Sequence, residues 1–134
     1  MSISRTNMIS ILKKNVVPEL RQRGFKGSFP HFRRITNKKI DLITFQFDRY
    51  GGGVVIEIGV CSPEGFIHYW GEKVPPNKVT AHDLSPNNRL RLKENEGEWF
   101  RYDVENEFGN IYEVVANEVL EHLSEAEAYW KDKG

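Results

Sequence analysis

Six carboxylates crowd one short stretch of the chain: Glu94, Glu96, Glu98, Asp103, Glu105 and Glu107, with Trp99 among them. Hydrolysis by paired carboxyls needs two acids held apart across a cleft. These six fall instead around one expected turn, Asn95-Glu96-Gly97. Their types and spacing fit docking. An acidic rim steers the approach of a basic protein, and an aromatic supplies buried area at the contact. Glu94, Glu96, Glu98, Trp99, Asp103, Glu105 and Glu107 are therefore the expected partner-binding residues. A solvated acidic turn is the simpler account of the same cluster.

A second set of polar side chains is Gln46, His82, Arg89 and Arg91. Converging beneath the long 71–88 loop, they would line a pocket for a small ligand or a substrate. Loops of that length in a small domain often carry a role. The other chemistry-bearing residues point to nothing specific. His31, His68, His82 and His122 show no zinc spacing, and the single cysteine, Cys61, cannot complete such a site. Neither metal nor cofactor is expected, and no catalytic residue is assigned. Cys61 ends an apolar strand-like run, where a thiol is expected to be buried and inert. Gly51-Gly52-Gly53 lacks the Lys-Ser/Thr of a phosphate-cradling loop and reads as a turn.

Charge is unevenly spread although the net charge is zero. Residues 1–60 hold 11 Lys/Arg and 4 Asp/Glu, and residues 61–134 hold 8 and 15. The basic half interleaves Phe25, Phe29 and Phe32 with arginines and lysines, a pattern that single-stranded nucleic acid can use. Those phenylalanines sit where a small core needs them, and the zero net charge argues the same way, so nucleic-acid binding is not expected.

The elements that must position these residues follow from periodicity. Met8, Leu12, Val16 and Leu20 recur every fourth residue and predict a helix, interrupted at Pro18 and stopped at Gly24. Ile43, Phe45 and Phe47 share one face of an expected strand, with Ile40 and Leu42 on the other. Val54, Ile56, Ile58 and Val60 alternate with Val55, Glu57 and Gly59 in a second strand, its antiparallel partner. Phe66 to Trp70 is a candidate short strand. Leu90 and Leu92, alternating with Arg89, Arg91 and Lys93, predict a one-sided strand paired by a tight turn with Trp99 to Val104. Phe108, Ile111, Val115, Val119, Leu123, Ala126 and Trp130 predict a C-terminal amphipathic helix. The expected fold is α+β: an antiparallel sheet of about five or six strands flanked by an N-terminal and a C-terminal helix on one face. The 134 residues fit a single domain, 1–134. With one cysteine, no signal-peptide pattern and no run long enough to span a membrane, a cytoplasmic location without membrane association is expected. Nothing in the sequence sets the oligomeric state.

Several of these pieces, in this order, resemble the domain-of-unknown-function family 4304. They are Leu20-Arg21-Gln22-Arg23-Gly24-Phe25, Phe32-Arg33-Arg34, Phe45-Gln46, Ile56-Glu57-Ile58-Gly59-Val60, Arg89-Leu90-Arg91-Leu92 and Trp99-Phe100. The resemblance runs from about Leu12 to the last helix. It implies a small bacterial α+β domain without an established activity. By analogy with families of this size, many of which neutralise toxins, the expected function is non-enzymatic: immunity-type binding of a basic toxin through the acidic surface. A small-ligand protein or enzyme with its pocket under the 71–88 loop is the alternative.

Overall fold

The computed structural model describes residues 3–105 and 109–133. Met8, Leu12, Val16 and Leu20 are all fully buried, as one stripe of a helix facing a core must be. The stripe runs through two helices, α1 (Ile3–Asn15) and α2 (Val17–Gln22), with Pro18 in the first turn of α2. Proline brings no backbone N–H and a fixed φ, which suits a helix start and not its interior. After α2 the chain leaves the helix through Gly24 at φ +97°, a left-handed conformation that costs glycine little.

The next four strands form an antiparallel meander: β1 (Lys26–Ser28), β2 (His31–Ile35), β3 (Ile40–Phe47) and β4 (Gly53–Cys61). The long central pair β3 and β4 aligns Ile43 with Ile58, Phe45 with Ile56 and Phe47 with Val54. Alternation gives each strand two faces. One face carries Phe32, Ile43, Phe45, Val54, Ile56 and Ile58 into the main core with α1 and α2. The C-terminal helix α3 (Ile111–Lys133) closes that core with Val115, Val119, Leu123, Ala126 and Trp130. Each fully buried side chain of this kind stabilises the fold by roughly 1.5–3 kcal/mol. Phe108, expected to open this helix, lies outside the described residues.

The opposite face carries Ile40 and Leu42, buried in a smaller cluster with Val79, Ala81 and Leu84. Residues 71–88 are thus a packed cover on the sheet. A short hairpin of β5 (Phe66–Ile67) and β6 (Lys73–Val74) precedes two single 3-10 turns, Ala81–Asp83 and Pro86–Asn88. Gly59 gives the Leu84 side chain its place: a Cβ there would lie 2.4 Å from Leu84 Cδ1 and would push that side chain aside.

The last two strands depart from the expected hairpin. β7 (Arg89–Arg91) and β8 (Phe100–Arg101) do not pair with each other. Both pair antiparallel with β4, in line along one of its sides: Arg89 and Arg91 lie opposite Gly59 and Glu57, and Phe100 and Arg101 lie opposite Val54 and Gly53. Residues 93–99 are an excursion between them. Lys93, Gly97 and Glu98 all have positive φ, and Glu94–Glu96 form a 3-10 turn. The excursion is held from inside. Lys93 does not continue the outward face of Arg89 and Arg91; its Nζ donates to Trp99 O (2.9 Å) and lies 3.6 Å from Glu118 of α3. That anchor makes the segment fold on itself instead of reversing direction.

Candidate functional site

Period-two alternation puts Arg89 and Arg91 on the same side of β7, and the register sets Arg91 opposite Glu57. Glu57 is the single acidic residue of β4 and its side chain is 7% exposed. A carboxylate this buried needs partners. Its Oε2 accepts from Arg89 Nη1 at 3.2 Å, with Arg91 Nε at 3.9 Å. Arg91 Nη1 in turn donates to Glu98 Oε1 at 2.7 Å. The other oxygen, Oε1, lies 3.3 Å from His82 Nε2 without the alignment of a hydrogen bond, and has no hydrogen-bond partner.

Gln46, Glu57, Arg89, Arg91, Glu94 and Glu98, with Pro86, line one cleft of about 480 Å³. It therefore takes residues from both sets singled out in the sequence: Gln46, Arg89 and Arg91 from one, Glu94 and Glu98 from the other. His82 borders it through Glu57, on a 3-10 turn that Asp83 fastens by accepting from Thr80 N at 2.8 Å. The His82 ring meets His31 edge-on, with centroids 5.6 Å apart, and His31 Nδ1 bonds Thr44 Oγ1 at 3.0 Å. Burial, then the charges of His82 and Arg33, pull the His31 imidazole below its ordinary pKa.

The remaining acidic residues are distributed around the excursion. Glu94 and Glu96 are exposed, as are Asp103 and Glu105. Glu96 Oε2 is 3.7 Å from His122 Nε2. Glu107 lies outside the described residues. Trp99 is half-buried with the Arg101 guanidinium 5.0 Å over its ring, while its neighbour Phe100 is fully buried. The aromatics of the basic half serve packing: Phe25 and Phe32 are buried, and Phe29 contacts Phe45.

Cys61 is half-buried and not fully enclosed, because it ends β4 at a cavity wall. Burial, reinforced by the charge of Asp83, pushes its thiol up to about 11, so at neutral pH it is a thiol and a poor nucleophile. That cavity, of about 870 Å³, is the one beneath residues 71–88, and Gln46, His82, Arg89 and Arg91 do not line it. Among the described residues no three His, Cys, Asp or Glu side chains gather as metal ligands would. No described helix is long and apolar enough to cross a membrane.

Sequence reasoning passed over Glu57, although a lone carboxylate in a nine-residue strand rich in valine and isoleucine is a legible signal. What it lacked was the pairing of β7 with β4, which brings the two arginines to it. No curated protein and no solved structure matches the chain. The model of the domain of unknown function DUF4304 matches residues 16–132, from Val16 at the junction of α1 and α2 through almost all of α3, and the chain belongs to that family.

Proposed function

We propose that the chain is a non-enzymatic binding protein of the immunity type, which docks a basic protein partner and seats one of its cationic side chains in the Glu57 cleft. The supporting observation is the convergence of Glu57, Glu94 and Glu98 on one cleft, three carboxylates against the two guanidiniums of Arg89 and Arg91. Glu57 Oε1, buried and without a hydrogen-bond partner, is the acceptor that an incoming guanidinium or ammonium would satisfy. Exposed Glu94 and Glu96 form the rim that steers the encounter. A small-ligand role is favoured by a different feature, the separate cavity beneath residues 71–88.

The experiment pairs the chain with the products of the genes flanking its own. One of these, cationic and toxic when expressed alone, is expected to be bound and neutralised. Changing Glu94→Lys together with Glu96→Lys should leave stability within about 0.5 kcal/mol of the parent, as for surface changes generally. The same double variant should slow association, by a factor that shrinks as salt rises. Absence of binding to any flanking product overturns the reading. So does an association rate unchanged by the double substitution at low salt.

A further inference from the structure

The cavity beneath residues 71–88 is independent of the Glu57 cleft and has the features of a small-molecule site. Its volume of about 870 Å³ lies within the range of roughly 300–1,000 Å³ that such sites span. Val60 at the end of β4, Phe66 of β5, Val74 of β6, Leu84 and Tyr129 of α3 give it apolar walls. The hairpin wall is drawn in tightly: Gly65 sits at φ +100°, and a Cβ on it would lie 2.1 Å from Val74 O. Two titratable groups of the lining, Cys61 of β4 and Tyr129 of α3, are partly desolvated. Burial raises the Cys61 thiol to about 11 and also raises the Tyr129 hydroxyl.

The charged residues of this cavity are two lysines and one glutamate. Glu64 is already engaged, accepting from Ser62 Oγ at 2.6 Å. Lys133 lies 5.5 Å over the Tyr129 ring. Lys73 is exposed, and among the described residues its ammonium has no ion pair. Apolar walls beside the polar Ser62, Asn87 and Asn88, with two lysines in the same lining, suit a ligand with an apolar body and an anionic head. Beside this margin the β5–β6 hairpin exposes Ile67, Tyr69 and Trp70, which are 63%, 97% and 60% accessible. Exposed aromatics and an isoleucine grouped on one tip are unusual on a surface with no contact to make.

We propose that this cavity binds an amphipathic carboxylate, with its apolar chain along Val60, Phe66, Val74 and Leu84 and its head on Lys73 and Lys133. The hairpin tip then extends the apolar path at the mouth. The ligand's source is either the free monomer or an anionic lipid in a bilayer; the monomer is the simpler fit to a cavity of about 870 Å³.

The probe is laurate below its micellar concentration, titrated calorimetrically and by tryptophan fluorescence, with Trp70→Phe identifying the reporter. Saturable one-to-one binding is expected. Dodecyltrimethylammonium, of the same chain length and opposite charge, should bind about tenfold more weakly or not at all. Lys73→Glu with Lys133→Glu should weaken laurate by about tenfold, the scale of two exposed charge contacts. Val74→Trp, which fills the cavity, should abolish binding while its circular dichroism stays unchanged. Should that variant misfold, laurate must still slow labelling of Cys61 in the parent protein at pH 9. The proposal is overturned by non-saturable binding, by equal affinity for the two amphiphiles, or by indifference to the paired lysine substitution. Sedimentation with anionic phospholipid vesicles in the absence of laurate binding would also overturn it, by assigning the contact to the hairpin tip alone.

Discussion

Arg34 of β2 and Glu127 of α3, 93 residues apart, form a two-pronged pair: Arg34 Nη2 donates to Glu127 Oε1 at 2.7 Å and Nη1 to Oε2 at 3.2 Å. The same guanidinium donates from Nε to the buried carboxylate of Asp41 at 2.9 Å and lies over the rings of Phe25 and Trp130. Helix and sheet are joined there by charge as well as by burial. Burial raises the Glu127 carboxyl, but the hydrogen bonds and charges of Arg34 and Arg23 outweigh it and hold the group below the usual carboxylate range. A depressed folded-state value means stability that is complete above the ordinary value of 4.5 and lost as pH falls through the folded one. Glu127→Gln is expected to destabilise by about 1–2 kcal/mol at pH 7. In urea unfolding curves the gap between parent and variant should close as pH drops below 4.5. A gap that is constant with pH would show that the carboxylate's charge contributes nothing.

Val119 is fully buried where α3 meets the sheet. Val119→Asp places an unpaired charge in the core and should cost several kcal/mol, on the order of the largest single-site effects. Thermal denaturation reads this directly. A melting temperature equal to that of the parent would contradict the packing of α3 on the sheet.

His31 is held neutral by its surroundings, with a folded value below the ordinary 6.5. The unfolded chain therefore binds a proton more readily than the folded one in the window beneath 6.5. Stability is complete above 6.5 and falls as pH drops through the folded value. This window opens at 6.5, above the 4.5 at which that of Glu127 opens, so the onset of the His31 loss comes first as pH falls. His31→Gln should flatten the stability profile between pH 6.5 and the acid range while leaving the Glu127 phase in place. Equal slopes in parent and variant would rule the imidazole out as the source.

Cys61 should react slowly with a thiol reagent at neutral pH, and its rate should climb as pH rises toward 11. Half-burial leaves it reachable, so the brake is protonation more than access. Prompt labelling of the native protein at pH 7 would mean that a thiolate is present and would reopen a nucleophilic role.

Most of the fold was legible because its signals are local. The four-residue stripe of Met8 to Leu20, the Pro18 break, the alternation of Val54 to Val60 and the α3 stripe each depend only on neighbours in sequence. The two faces of β3, with Ile43 and Phe45 on one and Ile40 and Leu42 on the other, were readable in the same way. The pairing of β7 and β8 was not. Lys93-Glu94-Asn95-Glu96-Gly97 looks like a hairpin turn whether its flanking strands meet each other or a third strand. The deciding contacts, Lys93 to Glu118 and Lys93 N to Glu125 Oε1, come from α3. The candidate site was half legible for the same reason. Gln46, Arg89 and Arg91 stood out as polar residues on strands, but their meeting with Glu57, Glu94 and Glu98 depends on that non-local register.

The in-line placement of β7 and β8 also bears on how the protein behaves at high concentration. A long strand on the outside of a sheet offers a row of free backbone N–H and C=O groups onto which another molecule can add. Here the outermost strand on that side is cut into segments of three and two residues by the 93–99 excursion, and β1 on the far side is only three residues long. Neither margin gives a template long enough to nucleate intermolecular pairing. Deleting the six residues 93–98, the number by which the register of β8 on β4 is offset from that of β7, would fuse β7 and β8 into one straight strand, restore such a template and promote fibrous aggregation.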